Sequence, residues 1–399
     1  MDLLRVLIVT HEFPPYFFGG AGTYALDLSN ALLAKGAEVI VVCGKSRPPV
    51  WEKKSGQFAV LRVGIPELPM RNVWFATLNS EQILKLAKKV DVVHVQPQSA
   101  SFLIGRITGN SGKPVVATVD GSAREVMRCV CRIPLSKASL AEYAFGVVEA
   151  PLRTHMRDLD VTRASHLAVQ AVHVKEEILS THGIGLASKI SLIPSAIDFN
   201  ELQPLLHLRE AFSDVRNVVF VGRLYYSKGA TFAVHAMKSI VRDIGINDIV
   251  LSVIGTGPAM PQLKKFIQKY DLQDSVRFLG HLSRRSALKT MANANALVLP
   301  SLYEACPRVL LEAKALGLPT VLFDLPWTRE FATLGIQSEL ARPFDHVDLA
   351  RKMVSACRKE RIEGGALTSL RSFDMNEVAG RLIELYSRLR SSWVAQKGR

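Results

Sequence analysis

A chain of 399 residues exceeds what one hydrophobic core ordinarily serves, so two domains are expected. With 48% hydrophobic and 22% charged residues, and glycine and proline spread along the chain, composition excludes a long disordered tract, and no run approaches the roughly eighteen apolar residues of a membrane span. The net charge of +14 asks for an anionic partner; without zinc-finger spacing or a basic repeat interleaved with aromatics, nucleic acid is set aside in favour of a phosphorylated small ligand or an anionic membrane face.

The N-terminal "MDLLRVLIVTHEFPP" has an acidic second residue and too short an apolar run for a signal peptide, so a cytoplasmic protein is expected. Five cysteines, with Cys129 and Cys131 two apart and no second pair, fit neither a disulfide framework nor a zinc site.

"LRVLIVT" (Leu4 to Thr10) reads as a strand buried on both faces. A helix follows, with Ala25, Leu28, Leu32 and Leu33 on one stripe and Gly36 as its stop. "EVIVVC", "FAVLRVG", "VDVVHVQ", "PVVATVD", "HLAVQA" and "ISLIPS" continue the strands, with helical segments between most of them. Two segments, "CGKSRPPVWEKKSG" (Cys43 to Gly56) and "LPMRNVWFATL" (Leu68 to Leu78), mix basic residues with tryptophan and read as loops, either solvated or resting on lipid. After a proline-containing stretch between Ser195 and Asp214 the alternation restarts with "NVVFVG", "DIVLSVIG", "VRFLG", "NALVLPS" and "PTVLFD". The pattern predicts two Rossmann-like, doubly wound parallel sheets, over residues 1–198 and 199–375, with a terminal helix over 376–399 packing back toward the first.

In open parallel sheets ligands bind beyond the carboxyl ends of the strands, and four strand ends carry candidate residues. In "FFGGAGTY", Gly19, Gly20 and Gly22 let the backbone approach a ligand at a helix start, although a plain tight turn needs the same residues. The segment lacks the GxGxxG fingerprint, which disfavours a nicotinamide dinucleotide. In "VGRLYYSKGA", Arg223 supplies a planar fork and Lys228 a point charge, a pair suited to a diphosphate. In "IGTGPAMPQL", Gly255 and Gly257 close a strand and Pro258 suits a first helical turn.

The fourth is "SLYEACPRVLLEAKALGLPTV", where Pro307 fits the first helical position, Glu304 precedes it and Glu312 falls in the helix. The amides of Arg308, Val309 and Leu310 can meet phosphate at that helix start, while carboxylates, acceptors only, suit hydroxyl donors. Phosphate between two sets of hydroxyls describes a nucleotide sugar.

These segments carry a resemblance. "HEFPPYFFGGAGTYALDLSNALLAKGAEV", "FVGRLYYSKG" and above all "YEACPRVLLEAKALGLPTV" resemble the retaining GT-B glycosyltransferases of family 4, over nearly the whole chain from Leu4 to "NEVAGRLIELY". The resemblance implies a UDP- or GDP-sugar donor and an alcohol acceptor, itself a sugar, lipid-linked or phosphorylated, with no metal and no cofactor. It implies that Gly19 and Gly20 meet the donor diphosphate and that Arg223 and Lys228 neutralise it as it leaves. Glu304 would hold donor-sugar hydroxyls, Glu312 the ribose, and the backbone of Gly280, His281 and Leu282 the base. Two departures stand out: Asp120 replaces the family histidine at the end of "PVVATVD", and "IPSAID" lacks the usual asparagine–glycine before Asp198. A catalytically silent nucleotide-sugar binder and an epimerase on the same fold are the alternatives. The basic and apolar segment from Arg124 to Phe145 is expected on the acceptor side, and peripheral attachment to the inner face of an anionic membrane completes the reading.

Overall fold

The computed structural model describes residues 3–16, 20–45, 48–68, 70–121, 125, 128, 149–206, 215–334, 338–360 and 366–397. The chain divides into two units: the first gathers Met1–Ser122, Pro151–Ala196 and Phe373–Arg399, and the second is built on Ile197–Ser372. Each unit is built on its own parallel sheet flanked by helices.

In the first unit, β1 (Arg5–Val9) leads into α1 (Gly20–Ala34), β2 (Glu38–Gly44), β3 (Val50–Lys53), β4 (Phe58–Val63), α2 (Arg71–Leu78), β5 (Val92–Val95), β6 (Val115–Val119), α3 (Ala150–Arg163), β7 (His166–Val169) and β8 (Ile190–Leu192). The strand order is β3-β4-β2-β1-β5-β6-β7-β8, parallel throughout except for the antiparallel pair β3 and β4. All five residues of β6 are buried, as a central strand covered on both faces requires. On α1, Ala25, Leu28 and Leu32 turn into the core at helical spacing, with Leu33 packed at its margin.

Two segments expected to be loops have regular structure. Val50–Lys53 is an edge strand, because pairing with β4 along one side satisfies its backbone while its other side stays open. Arg71–Leu78 is a helix whose Asn72, Phe75 and Ala76 are buried. Their tryptophans are exposed, Trp51 by 54% and Trp74 by 38%.

The terminal helix, Met375–Lys397, buries Val378, Ala379, Leu382, Leu385 and Tyr386 in the core of the first unit. Neither Ser195 nor Ala196 has a positive φ, so the turn that departs from asparagine–glycine needs no glycine.

The second unit runs through α4 (Phe199–Leu202), β9 (Arg216–Val221), α5 (Ala230–Lys238), β10 (Ile249–Ile254), α6 (Met260–Lys269), β11 (Val276–Gly280), α7 (Arg284–Ala292), β12 (Ala296–Leu299), α8 (Arg308–Ala315), β13 (Thr320–Phe323), α9 (Pro326–Ala332), β14 (Glu339–Ala341) and α10 (His346–Cys357). Its strands are ordered β11-β10-β9-β12-β13-β14, all parallel. The short β14 was absent from the sequence pattern, being three residues with one buried. Among the described residues no helix is long and apolar enough to cross a membrane.

Candidate active site

Because β9 to β12 are parallel, the loops that leave them emerge on one edge of the second sheet, and backbone hydrogen bonds lace these loops together in the order of their strands. Gly255 N–H donates to Gly280 O at 2.7 Å, joining the loops after β10 and β11. Leu224 N–H donates to Thr256 O at 2.9 Å, and Ala259 N–H to Leu224 O at 3.0 Å, joining those after β9 and β10. Leu302 N–H donates to Ser227 O at 2.8 Å, joining those after β9 and β12.

Two glycines make this lacing possible. Gly229, at φ 83°, ends the turn carrying Lys228, and a Cβ there would lie 2.1 Å from Pro300 O. A Cβ on Gly257 would lie 2.6 Å from Leu224 O, so chain packing demands this glycine irrespective of any ligand. The helix after it starts at Met260, so Pro261 occupies the first turn rather than Pro258, which precedes the Ala259 cap.

The lacing sets Lys228 against Glu304. The ammonium donates to both carboxylate oxygens at 2.7 Å, with the side chains 29% and 13% exposed. Arg223, exposed at the end of β9, lies with its guanidinium 5.7 Å from the Tyr225 ring centroid. Pro307 caps α8 instead of opening it: its ψ of 107° is extended, so the helix begins at Arg308. Its carbonyl accepts from Leu310 and Leu311 at 3.0 and 3.2 Å, so the leading amides are those of Arg308 and Val309 and not that of Leu310.

Glu312, with only 9% of its side chain exposed, accepts from Arg284 Nη1 at 2.8 Å. Arg284 opens α7 directly after the Gly280–Leu282 segment, where His281 is exposed and Leu282 half-buried. Its Nε donates to Glu201 of α4 at 2.6 Å. Sequence reasoning missed Arg284 and Glu201. The strand-end rule applied to "HLSRRS" points to Arg284, whereas nothing local marks Glu201.

In the first unit, Gly20 opens α1, exposed and with open space where a Cβ would stand. Gly19 lies outside the described residues. Asp120 follows the last residue of β6 and is half-buried. Its charge helps to raise the carboxyl of Asp160 on α3, which burial foremost pushes to about 7. Of the Arg124–Phe145 segment only Glu125 and Arg128, which form an ion pair, are described. Among the described residues no three His, Cys, Asp or Glu gather where a metal ion could be held.

Residues 18–201 match Glycosyltransferase Family 4, and residues 209–363 match Glycosyl transferases group 1. The chain is a GT-B glycosyltransferase of family 4. This glycosyltransferase is 26% identical over 414 residues to a glycogen synthase of Mycobacterium tuberculosis, covering 96% of this chain and 94% of the relative. It is 26% identical over 394 residues to a phosphatidylinositol N-acetylglucosaminyltransferase from Arabidopsis thaliana, covering 96% and 79%. Among solved structures, sucrose-phosphate synthase from Thermosynechococcus elongatus shares the fold with a TM-score of 0.77 at 19% identity, covering 98% of this chain and all of that one.

Proposed function

We propose that this glycosyltransferase moves a sugar from a nucleoside diphosphate sugar to an alcohol acceptor, with retention at the anomeric carbon and with protein cations in the place of a metal ion. The observation that carries the reading is the laced edge of the second sheet, which gathers Arg223, Lys228, Glu304 and the start of α8. An ammonium has three donor protons, so Lys228 can keep Glu304 and still reach a phosphate oxygen. Glu304 in turn accepts from hydroxyls of the donor sugar, and Glu312 from those of the ribose. The backbone of Gly280 to Leu282 frames the base.

Retention follows if the acceptor oxygen attacks the anomeric carbon from the face on which the diphosphate leaves. The carbon–oxygen bond to phosphate breaks, the new glycosidic bond forms, and the acceptor proton passes to the departing phosphate oxygen. Arg223 and Lys228 stabilise the negative charge that develops there, and fixed charges cost no reorganisation at the moment of reaction. The name of the phosphatidylinositol relative supports a lipid-linked or phosphorylated acceptor. A lipid acceptor in turn fits peripheral attachment to an anionic membrane, with the net charge of +14 as its electrostatic basis.

Thermal denaturation with UDP-, GDP-, ADP- and TDP-sugars tests the reading. A donor at about a hundred times its Kd stabilises the fold by roughly 2.7 kcal/mol. One donor class is expected to raise the midpoint of the wild type and to leave that of Arg223→Ala/Lys228→Ala unmoved. Glu304→Gln keeps the shape but loses the charge that accepts strongly, and transfer is expected to fall by about tenfold or more. Full transfer by Glu304→Gln, or no midpoint shift with any donor, contradicts the assignment.

A further inference from the structure

The stretch from Leu310 to Phe323 is buried without interruption, and Glu312 lies within it. A carboxylate there costs desolvation that an apolar residue of similar volume would avoid, and it persists in a packed interior only with a close partner. Arg284 is that partner, but the guanidinium is shared. Nη1 holds Glu312 Oε1 at 2.8 Å while Nε holds Glu201 Oε2 at 2.6 Å. The two carboxylates come from different helices, α8 and α4, and the arginine from the first position of α7.

This sharing restricts all three side chains. A planar guanidinium engaged through two of its nitrogens has little freedom to rotate, so the Glu312 oxygen it binds is fixed in place. A carboxylate offers about four lone-pair sites, and the arginine takes only part of them. The remaining acceptor sites of Glu312 are therefore held in one orientation by a residue that need not touch the donor itself. Glu201, the most exposed of the three at 38%, anchors the arginine.

We propose that Arg284 is a positioning residue, itself anchored by Glu201, that aims the Glu312 carboxylate at ribose hydroxyls and so makes this site select ribonucleotides over deoxyribonucleotides. The inference rests on the nucleotide-sugar reading above. It assigns the selectivity to the Glu201–Arg284–Glu312 chain and not to Glu312 alone.

The test is calorimetric binding of UDP, GDP and ADP and of their 2′-deoxy counterparts to the wild type, Arg284→Gln, Arg284→Lys and Glu201→Gln, with donor KM and kcat for the same set. For the ribonucleotide that the wild type binds best, Arg284→Gln is expected to raise Kd and donor KM by about tenfold or more, the loss of one charge-assisted hydrogen bond, with kcat little changed. The preference for that ribonucleotide over its deoxy form, present in the wild type, should collapse in Arg284→Gln and return in part in Arg284→Lys. Glu201→Gln alters a partly exposed side chain, so it keeps the inference open to test even where Arg284→Gln does not fold. It should weaken ribonucleotide binding about threefold and narrow the same preference. A wild type that binds no nucleoside diphosphate overturns the nucleotide reading and this inference with it. A wild type that binds and discriminates, with an unaltered preference in Glu201→Gln or in folded Arg284→Gln, overturns this inference alone.

Discussion

Asp160, 2% exposed near the end of α3, accepts at one oxygen from the Gln98 amide at 3.3 Å. Burial and then the Asp120 charge push its carboxyl up to about 7, against contributions from Ser101, Gln98 and Arg157 that lower it. A folded-state value above the unfolded one means that the folded protein holds more protons, so this group's stabilising contribution is complete at low pH and is lost as pH rises toward about 7. Asp160→Asn removes the charge while keeping an oxygen for the Gln98 amide. The variant should match the wild type in urea unfolding near pH 4 and exceed it near pH 8 by roughly 4 kcal/mol. A variant no more stable than the wild type at the higher pH contradicts a buried carboxylate at this position. Asp120 was legible from its place after a strand, whereas Asp160 sits in "MRDLDVTR", which reads as an ordinary polar helix face until tertiary packing buries it. Glu201 and Arg284 were hidden for a related reason: their partnership joins residues 83 apart. Glu304 and Lys228, by contrast, were each marked by a strand end, although their direct ion pair was not foreseen.

At the scale of elements, the terminal helix is held to the first sheet by more than its apolar stripe. Tyr386, fully buried, hydrogen-bonds through its hydroxyl to His94 Nδ1 on β5, and His94 Nε2 pairs with Thr118 Oγ1 on β6 at 2.6 Å. One tyrosine thus ties the end of the chain to two central strands. Burial lowers the His94 imidazole to about 3, so it stays neutral in the folded protein. Its contribution is present above about 6.5, the unfolded value, and is lost as pH falls from there toward about 3. Tyr386→Phe leaves a buried ring nitrogen without its partner and should cost about 1–3 kcal/mol in denaturant unfolding. A cost within error of zero at neutral pH means that packing alone holds the helix. Central strands such as β6 and β10 were legible because double-sided burial writes continuous apolar runs. The edge strand β3 was not, because its residues are mostly exposed and its pairing is made with a segment beyond a turn.

For the whole molecule the unbalanced quantity is charge. A surplus of +14 on 399 residues raises the local concentration of any anionic surface near it. In the first unit this charge accompanies exposed apolar side chains. Leu68, Trp74 and Leu78 stand out in the segment through α2, and Val50 and Trp51 on β3. A cleft joins the end of β2 to the start of the α2 segment, lined by Lys45 and Arg71 together with Tyr16, Ile65 and Glu67, whose carboxylate lies 3.7 Å from the Lys45 ammonium. Lys45 lies 5.2 Å from the Tyr16 ring centroid there. Basic residues beside an anionic leaflet each contribute about 1 kcal/mol, falling off within a Debye length of about 10 Å at 0.1 M salt and about 3 Å at 1 M. Attachment through charge with aromatic insertion therefore predicts co-sedimentation with vesicles containing phosphatidylserine at low ionic strength, and release as salt approaches about 1 M. Trp74→Ala should weaken the binding without altering its salt dependence, because the ring contributes buried area and no charge. Equal binding to neutral and anionic vesicles assigns the attachment to apolar contact alone. No binding to either leaves the surplus charge to serve the phosphates of the donor and acceptor.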